Sequence, residues 1–275
     1  MKEAFKFDKI YVIESLRPND LKTGEELYND IIKLKLWQKD LYENCELFQP
    51  KSKIDFFNSI EKIKSEAEKK SIYPLIHLEM HGSKDGIQVT NGEIIKWIEL
   101  QNRLIELNIL CKCNLFLTMA TCYGGYIYST INPSLRTPFW GFIGPFEKVK
   151  AGEVLINFTA FYEEFINSLD INESVIKLNE ANPNNKSRFR FHNTEFAFNV
   201  AYQNYEKKYL TDEVVAERLE TGLKEARKHT ETNHLSDEQI KQNLKFFMVD
   251  NKDFMKDKLM EKFFMWDIFP ENRKK

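Results

Sequence analysis

The stretch Tyr73–Gly82, which reads Tyr-Pro-Leu-Ile-His-Leu-Glu-Met-His-Gly, is an apolar run that stops abruptly at a histidine and a glycine. A second run, Asn114–Gly125, reads Asn-Leu-Phe-Leu-Thr-Met-Ala-Thr-Cys-Tyr-Gly-Gly and stops at a cysteine shortly before two glycines. Short apolar runs bounded by turn residues are typical of strands buried in a parallel sheet. We therefore expect two such strands, one with His81 and the other with Cys122 at its carboxyl end.

Helix-like segments separate the strand-like runs over the first 170 residues. The strand-like runs are Lys9–Glu14, Glu46–Phe48, Pro74–Met80, Ile87–Val89, Leu115–Ala120 and Phe139–Ile143. Capping patterns and helical spacing predict helices that start at Thr23–Glu26, Ser52–Asp55 and Thr90–Glu93 and one that covers Ala151–Leu169. Because strands that alternate with helices favour right-handed crossovers, the pattern predicts an α/β sandwich with a mostly parallel sheet.

The last third of the chain departs from this alternation. The composition changes near Ala181–Ser187, which reads Ala-Asn-Pro-Asn-Asn-Lys-Ser and is the best candidate for a linker. Helical segments follow near Thr194–Tyr209, near Thr211–Lys228 and after a capping box at Ser236–Gln239. We predict a sandwich domain over residues 1–180 and a helical C-terminal extension over residues 181–275 that docks on the sheet domain or on a partner.

The overall composition is that of an ordinary soluble globular protein and excludes several classes of function. Lys plus Arg (40) against Asp plus Glu (42) gives a formal net charge of −2, so no strong field attracts nucleic acid or an anionic membrane. The N-terminus has no signal-like apolar core, and no run approaches the roughly 20 apolar residues of a membrane helix. Four cysteines in 275 residues do not suggest a disulfide scaffold. The sequence therefore predicts a cytoplasmic protein without a direct nucleic-acid or membrane partner.

The two reactive side chains, His81 and Cys122, are a pair that can make an activated nucleophile without a metal or cofactor. Open parallel sheets bind ligands at the carboxyl ends of their strands, so we expect the pair to meet across a cleft there. The imidazole would assist thiolate formation and protonate a leaving amine. Gly82 lets the chain turn at once, and the backbone N–H groups of Gly82 and Cys122 would then form an oxyanion hole.

In their order and spacing these motifs resemble the caspase-like cysteine peptidases, which carry a Gln-Ala-Cys-x-Gly motif with a histidine about 50 residues upstream. Ala120–Gly124, which reads Ala-Thr-Cys-Tyr-Gly, is a looser version of that motif. The chain is more similar to the CHAT branch, in which a histidine often precedes the catalytic one by four residues, as His77 precedes His81. The resemblance covers about residues 10–170 and implies Cys122 as nucleophile, His81 as general base and acid, and Gly82 as oxyanion donor.

The resemblance also implies a caspase-like three-layer sandwich and a role in a bacterial antiviral defence system. One departure concerns specificity. Family members that cut after Arg or Lys often have an Asp two residues before the cysteine, where this chain has Ala120. The substrate residue therefore stays open. Asp85 and Glu79 are acidic residues near His81 in the sequence, and either could simply be solvated.

Each site residue also has a structural interpretation. Cys122 could be a small hydrophobe buried at a strand end, and His81 a hydrogen-bonded turn histidine. On a strand, His77, Glu79 and His81 share one face, which is suggestive of a metal site. Because no third ligand is evident, we predict neither a metal nor a cofactor.

The leading hypothesis is a cysteine endopeptidase that cuts a protein substrate. Since such an enzyme risks indiscriminate cutting, we expect a regulatory protein partner, an effector or a proteolytic event to gate it. A first alternative is a catalytically silent caspase-like binding module that holds a protein partner, and a second is a Cys-His transferase or hydrolase of a small acyl substrate. The reactivity of the Cys122 thiol, measured against Cys45, Cys111 and Cys113, distinguishes the enzymes from the module.

Overall fold

A mostly parallel β-sheet is the central element of the computed structural model, which describes residues 6–41, 43–182 and 187–274. Across the sheet the strands are β2 (Cys45–Phe48), β1 (Lys9–Ser15), β3 (Pro74–Gly82), β6 (Phe116–Ala120), β7 (Gly141–Pro145) and β8 (Phe189–Asn193). Neighbours on this path are parallel, except that β8 runs antiparallel to β7. Two short strands, β4 (Gly86–Gln88) and β5 (Ile94–Lys96), extend β3 as an antiparallel hairpin.

Helices cover both faces of the sheet, because strand residues alternate between two apolar sides. Ile10 and Val12 of β1 face one core. The helices that pack on this core are α1 (Thr23–Glu26), a π-helical stretch (Leu27–Lys33), α2 (Leu34–Trp37), α5 (Ala151–Ser168) and α6 (Ile171–Glu180). Tyr11 points the other way, where its hydroxyl donates to Glu66 of α3 (Lys53–Lys70) at 2.7 Å. Since α4 (Trp97–Leu110) packs on α3, the sheet lies between two helical layers, and the predicted three-layer α/β sandwich is confirmed.

The apolar side of α5 explains the stability of the first core. Phe158, Phe161, Tyr162 and Phe165 are fully buried, as their helical spacing predicts. Each buried aromatic side chain contributes about 1.5–3 kcal/mol from burial. The Phe158 ring also lies 4.8 Å from the His77 ring, so α5 packs on the strand residues next to the candidate site.

Three of the four predicted helix caps fall before residue 100, and their outcomes differ. Ser52 caps α3 and forms a reciprocal capping box with Asp55, as predicted. The cap predicted at Thr90 is wrong, because residues 94–96 pair with β4 as a strand and α4 begins only at Trp97. The cap predicted at Thr23 is also wrong: the Thr23 hydroxyl donates to Glu79.

The chain divides into two compact units. One comprises the residues up to 131 together with 137–194, and the other comprises 132–136 and 195–274. The helices beyond β8 are α7 (Thr194–Tyr209), α8 (Asp212–Ala226), α9 (Asp237–Lys245) and α10 (Lys252–Phe263), and Ser236 caps α9 as predicted. The predicted domain boundary at residue 181 precedes β8, which pairs with β7 as part of the sheet. Residues 183–186 of the predicted linker lie outside the described residues.

Membrane-spanning length is a separate property of these helices. Over residues 6–41, 43–182 and 187–274, every helix is too short or too polar to cross a bilayer.

Candidate active site

The pairing of β3 with β6 brings the two predicted reactive residues to one place. Glu79 of β3 lies opposite Ala120 of β6 in the parallel ladder, and His81 and Cys122 each follow two residues later. Both side chains line one cavity, together with Glu79 and Ala120. The structure therefore brings His81 and Cys122 together at the carboxyl edge of the sheet, across 41 positions of sequence.

Gly82 is the residue that permits this approach. A Cβ atom built on Gly82 would lie only 2.2 Å from the carbonyl oxygen of Cys122 and 3.0 Å from the Thr121 methyl group. The backbones of the two strand ends are thus in direct contact, and no larger residue fits between them without movement. The prediction that the N–H groups of Gly82 and Cys122 act as oxyanion donors stays a prediction.

The cavity has a volume of about 170 Å³, which suits one amino-acid side chain. Its lining is mostly apolar and contains two carboxylates, but neither Lys nor Arg. The lining residues are Leu16, Asp20, Leu21, Thr23, Glu79, Met80, His81, Ala120, Cys122, Val149, Ala151 and Val154. An apolar pocket with a few convergent polar groups is the usual form of a small binding site.

A sharp turn directly after β6 presents Cys122. Tyr123 has a φ of +60°, in the left-handed region that non-glycine residues rarely adopt. Two backbone hydrogen bonds hold the turn: Tyr123 N–H donates to the Glu147 carbonyl at 3.1 Å, and Gly124 N–H donates to the Thr121 carbonyl at 3.1 Å. Such strain persists only where the surroundings impose it, and it is common at functional sites.

The Cys122 sulfur is in contact with the backbone just before α5. The Val149 N–H donates to Sγ at 3.4 Å, and the Val149 carbonyl lies 3.6 Å from Sγ, where it accepts from the thiol. A cysteine thiol is both a weak donor and a weak acceptor, so these two contacts fix the position of the Cys122 side chain. Cys122 is half-buried and not disulfide-bonded.

The acidic partner of His81 is Asp20, in the loop after β1, and the sequence analysis did not predict it. His81 Nε2 lies 2.8 Å from Asp20 Oδ2. Of the two acids considered from the sequence, Asp85 is exposed and Glu79 is turned toward Thr23 and His77. The position of Asp20 in the sequence could have indicated this role. Asp20 follows β1, the parallel neighbour of β3, and so lies at the same edge of the sheet as His81.

The ionisation of Asp20 reflects these contacts. Burial opposes the charged form, but hydrogen bonds from the His81 ring and from the Arg17 backbone outweigh it. Together they hold the pKa of Asp20 below its usual range, so Asp20 is a carboxylate at neutral pH.

A row of buried polar groups lies on the same sheet face, one layer toward the core. His77 Nδ1 lies 2.8 Å from the Thr118 hydroxyl, which in turn lies 2.9 Å from the Tyr162 hydroxyl of α5. His77 Nε2 lies 3.4 Å from Glu79. His77 is fully buried, so it is a structural residue of the site floor and not a second base in the cavity.

Glu14 of β1 lies opposite Glu79 of β3, which places two buried carboxyl groups side by side. Burial is the main cause that raises the pKa of Glu14, and the nearby Glu79 raises it further. The N–H groups of Gly24 and Glu25, each 3.0 Å from Glu14 Oε1, partly offset the cost of burial. In the part of the chain that the structure describes, no cluster of three or more His, Cys, Asp or Glu residues has the geometry of a metal site.

No protein-family model matches the chain, and no curated protein matches its sequence. Among solved structures the chain is similar to a secreted C11 cysteine protease from Bacteroides thetaiotaomicron, solved by X-ray in complex with an irreversible peptide inhibitor. The identity is 10%, the TM-score is 0.41, and the match covers 64% of this chain and 58% of that chain.

Proposed function

We propose that this chain is a cysteine peptidase of the caspase-like type, with Cys122 as nucleophile and His81 as general base and acid. The observation that carries the proposal is that His81 and Cys122, which end two neighbouring parallel strands, line one small cavity. A thiol beside an imidazole, at the edge where such sheets bind ligands, is the arrangement of an activated nucleophile.

The chemistry follows from these groups. His81 takes the thiol proton, and the Cys122 sulfur attacks the carbonyl carbon of the scissile peptide bond. The oxygen of the resulting tetrahedral intermediate would lie near the backbone N–H groups of Gly82 and Cys122. As the C–N bond breaks, His81 gives its proton to the leaving amine, and a thioester remains on Cys122. Water then attacks the thioester with His81 as base, which releases the acid and restores the thiol.

The volume of the cavity limits how much of a substrate it can hold. About 170 Å³ accommodates one side chain, while the rest of an extended peptide would lie outside it. We include in the proposal that a protein partner, an effector or a proteolytic event gates the activity, because an ungated peptidase would cut indiscriminately. A protein substrate belongs to the same proposal, whereas the role in bacterial defence is what the resemblance to the CHAT branch implies.

The first test is the relative reactivity of the four thiols toward iodoacetamide at pH 7, followed peptide by peptide with mass spectrometry. Burial raises the pKa of Cys111 to about 12 and also raises the pKa of Cys45, so both should react slowly. Cys113 is half-buried like Cys122 and is the matched comparator. We expect Cys122 to react at least about tenfold faster than Cys113, and His81→Gln to remove most of the difference.

Equal rates for Cys122 and Cys113, unchanged by His81→Gln, would overturn the peptidase proposal and favour the silent binding module. A second test detects new N-termini in a peptide library made by digestion of a bacterial proteome, with Cys122→Ala as control. Cleavage that depends on Cys122 establishes the peptidase directly. A reactive Cys122 without cleavage excludes the silent binding module and is expected both for a gated peptidase and for a Cys-His transferase or hydrolase of a small acyl substrate.

A further inference from the structure

The acidic partner of His81 is held in place by a structured loop. Asp20 Oδ2 accepts the hydrogen bond of His81 Nε2 at 2.8 Å and also the Arg17 backbone N–H at 2.8 Å. The Asp20 N–H donates to the Arg17 carbonyl at 3.0 Å, which closes the turn. The carboxylate therefore occupies one defined position beside the imidazole before any substrate binds.

Two further contacts attach this loop to its surroundings. Lys22 Nζ donates to the Leu16 carbonyl at 2.9 Å, which closes the loop across its base. Arg17 Nη2 donates to Gln88 Oε1 of β4 at 2.6 Å, so the loop is tied to the strand that pairs with the His81 end of β3. A loop fixed at both ends is suited to hold a catalytic group in register.

The other charged groups around His81 are directed elsewhere. Glu79 lines the same cavity, but its oxygens face Thr23 and His77. The Arg17 guanidinium bonds to Gln88, and Asp85, in the turn after Gly82, is exposed. Among the described residues, Asp20 is therefore the carboxylate within hydrogen-bond distance of the His81 ring.

We propose that Asp20 is a positioning residue that completes a Cys122–His81–Asp20 triad; this inference rests on the proposed peptidase function. Asp20 accepts the Nε2 proton of His81, which leaves Nδ1 as the ring nitrogen that exchanges a proton with Cys122. When the Cys122 proton moves to Nδ1, the ring becomes an imidazolium, and the adjacent carboxylate stabilises its charge. The same logic applies wherever an acid orients a catalytic histidine.

The competing interpretation is a surface ion pair without a role. The side chains of His81 and Asp20 are 43% and 30% exposed, and exposed pairs contribute little to stability. Loss of a surface pair would leave the reactivity of Cys122 unchanged at every pH. The pH profile of that reactivity therefore separates the two interpretations.

The experiment measures the rate of Cys122 alkylation by iodoacetamide from pH 5.5 to pH 9 in the full chain and in three variants. Asp20→Asn keeps an oxygen that can accept the Arg17 N–H, and so preserves the turn while it removes the charge. Asp85→Asn removes an equal charge from the exposed turn after Gly82 and is the matched control. Asp20→Glu restores the charge at a different length.

At pH 6 the Cys122 thiolate depends on a charged His81, which Asp20 stabilises. We therefore expect Asp20→Asn to slow alkylation about tenfold at this pH, the change in thiolate population that one pKa unit produces. At pH 9 the thiol ionises without this help, so the variant should lie within about twofold of the unaltered chain. Asp85→Asn should match the unaltered chain throughout, and Asp20→Glu should recover part of the loss at pH 6.

Three outcomes count against the triad, and each has a different meaning. If Cys122 is fast and depends on His81 while Asp20→Asn and Asp85→Asn behave alike at pH 6, the peptidase proposal survives and the role of Asp20 is overturned. If Cys122 is no faster than Cys113 and His81→Gln changes nothing, both proposals fall together. A parallel loss at pH 6 and pH 9 in Asp20→Asn would show general damage to the site and would also reject the triad.

Discussion

The charged residues at the two ends of β1 differ in their partners. At the amino end, Lys9 lies 3.0 Å from Glu46 and 3.0 Å from Glu66, and Tyr11 donates to Glu66 at 2.7 Å. At the carboxyl end, Glu14 and Glu79 are buried side by side. Within the described part of the chain, neither Glu14 nor Glu79 has a Lys or Arg partner at ion-pair distance.

The difference separates a stabilising cluster from one that lies beside the proposed active site. A paired charge near the surface favours the folded state, whereas carboxyl groups buried without a cation cost stability. Acids whose pKa is raised by burial, as that of Glu14 is, are concentrated at sites that bind or react. Substitutions at the amino end should therefore change the free energy of unfolding without changing the reactivity of Cys122. Substitutions at the carboxyl end should change that reactivity.

Gly82→Ala should have the largest effect, at the carboxyl end. The new Cβ would meet the backbone carbonyl of Cys122, so the strand ends must part at a cost of about 2–3 kcal/mol in the free energy of unfolding. The fast alkylation of Cys122 should also disappear. Gly152→Ala is the control, because its Cβ would meet nothing within 4 Å. Urea unfolding compares the two variants, and equal stabilities would refute the contact between the strand ends.

Lys9→Met tests the amino end. It removes the cation that Glu46 and Glu66 share and leaves each with one lysine, Lys62 and Lys70 respectively, and we expect a loss of about 2 kcal/mol in the free energy of unfolding. Cys122 alkylation should stay within about twofold of the unaltered chain. Lys69→Met, at an exposed position of α3, is the control and should change stability by less than about 0.5 kcal/mol. A loss of Cys122 reactivity in Lys9→Met would contradict the separation of the two ends.

Glu66→Gln should remove an acid-sensitive contribution to stability. Burial raises the pKa of Glu66, but hydrogen bonds from Lys70, Tyr11 and Lys9 outweigh burial and lower the pKa to about 2. Because the folded pKa lies below the unfolded one, the contribution is present above about pH 4.5 and is lost as pH falls toward 2. Urea unfolding should show a deficit of about 1–2 kcal/mol for Glu66→Gln at pH 6 that shrinks toward pH 2. A deficit that is independent of pH would disprove the assignment.

Glu14→Gln should show the opposite slope and the smallest effect. Its raised pKa means that the folded state favours the protonated form, so the unaltered chain loses stability as pH rises above about 4.5. Glutamine stays neutral, and the variant should therefore gain on the unaltered chain between pH 4 and pH 7, by no more than about 1 kcal/mol. The same urea series measures this difference, and slopes of equal sign for Glu14→Gln and Glu66→Gln would remove the contrast between the ends.

The sequence predicts the positions of His81 and Cys122 in the sheet well, because a local pattern encodes them. The runs that end at His81 and Cys122 identify buried strands, and parallel pairing then determines that their ends meet. Asp20 escapes prediction because it lies in an irregular turn 61 positions from His81, and a turn has no periodicity that would reveal a distant partner. The capping error at Thr23 has a related cause: the carboxyl group of Glu14, from the neighbouring strand, takes the N–H groups that a local cap would have satisfied.

The last strand of the sheet has a consequence for how the chain can be shortened. β8 covers the outer edge of β7, and it lies beyond the stretch that reads most like a linker. A chain that ended at residue 181 would expose the hydrogen-bonding edge of β7 to any neighbouring molecule, and open edges of this kind promote aggregation. Recombinant production of the sheet unit should therefore extend at least to Thr194, and poor solubility of a shorter product would reflect the missing strand rather than a missing regulator.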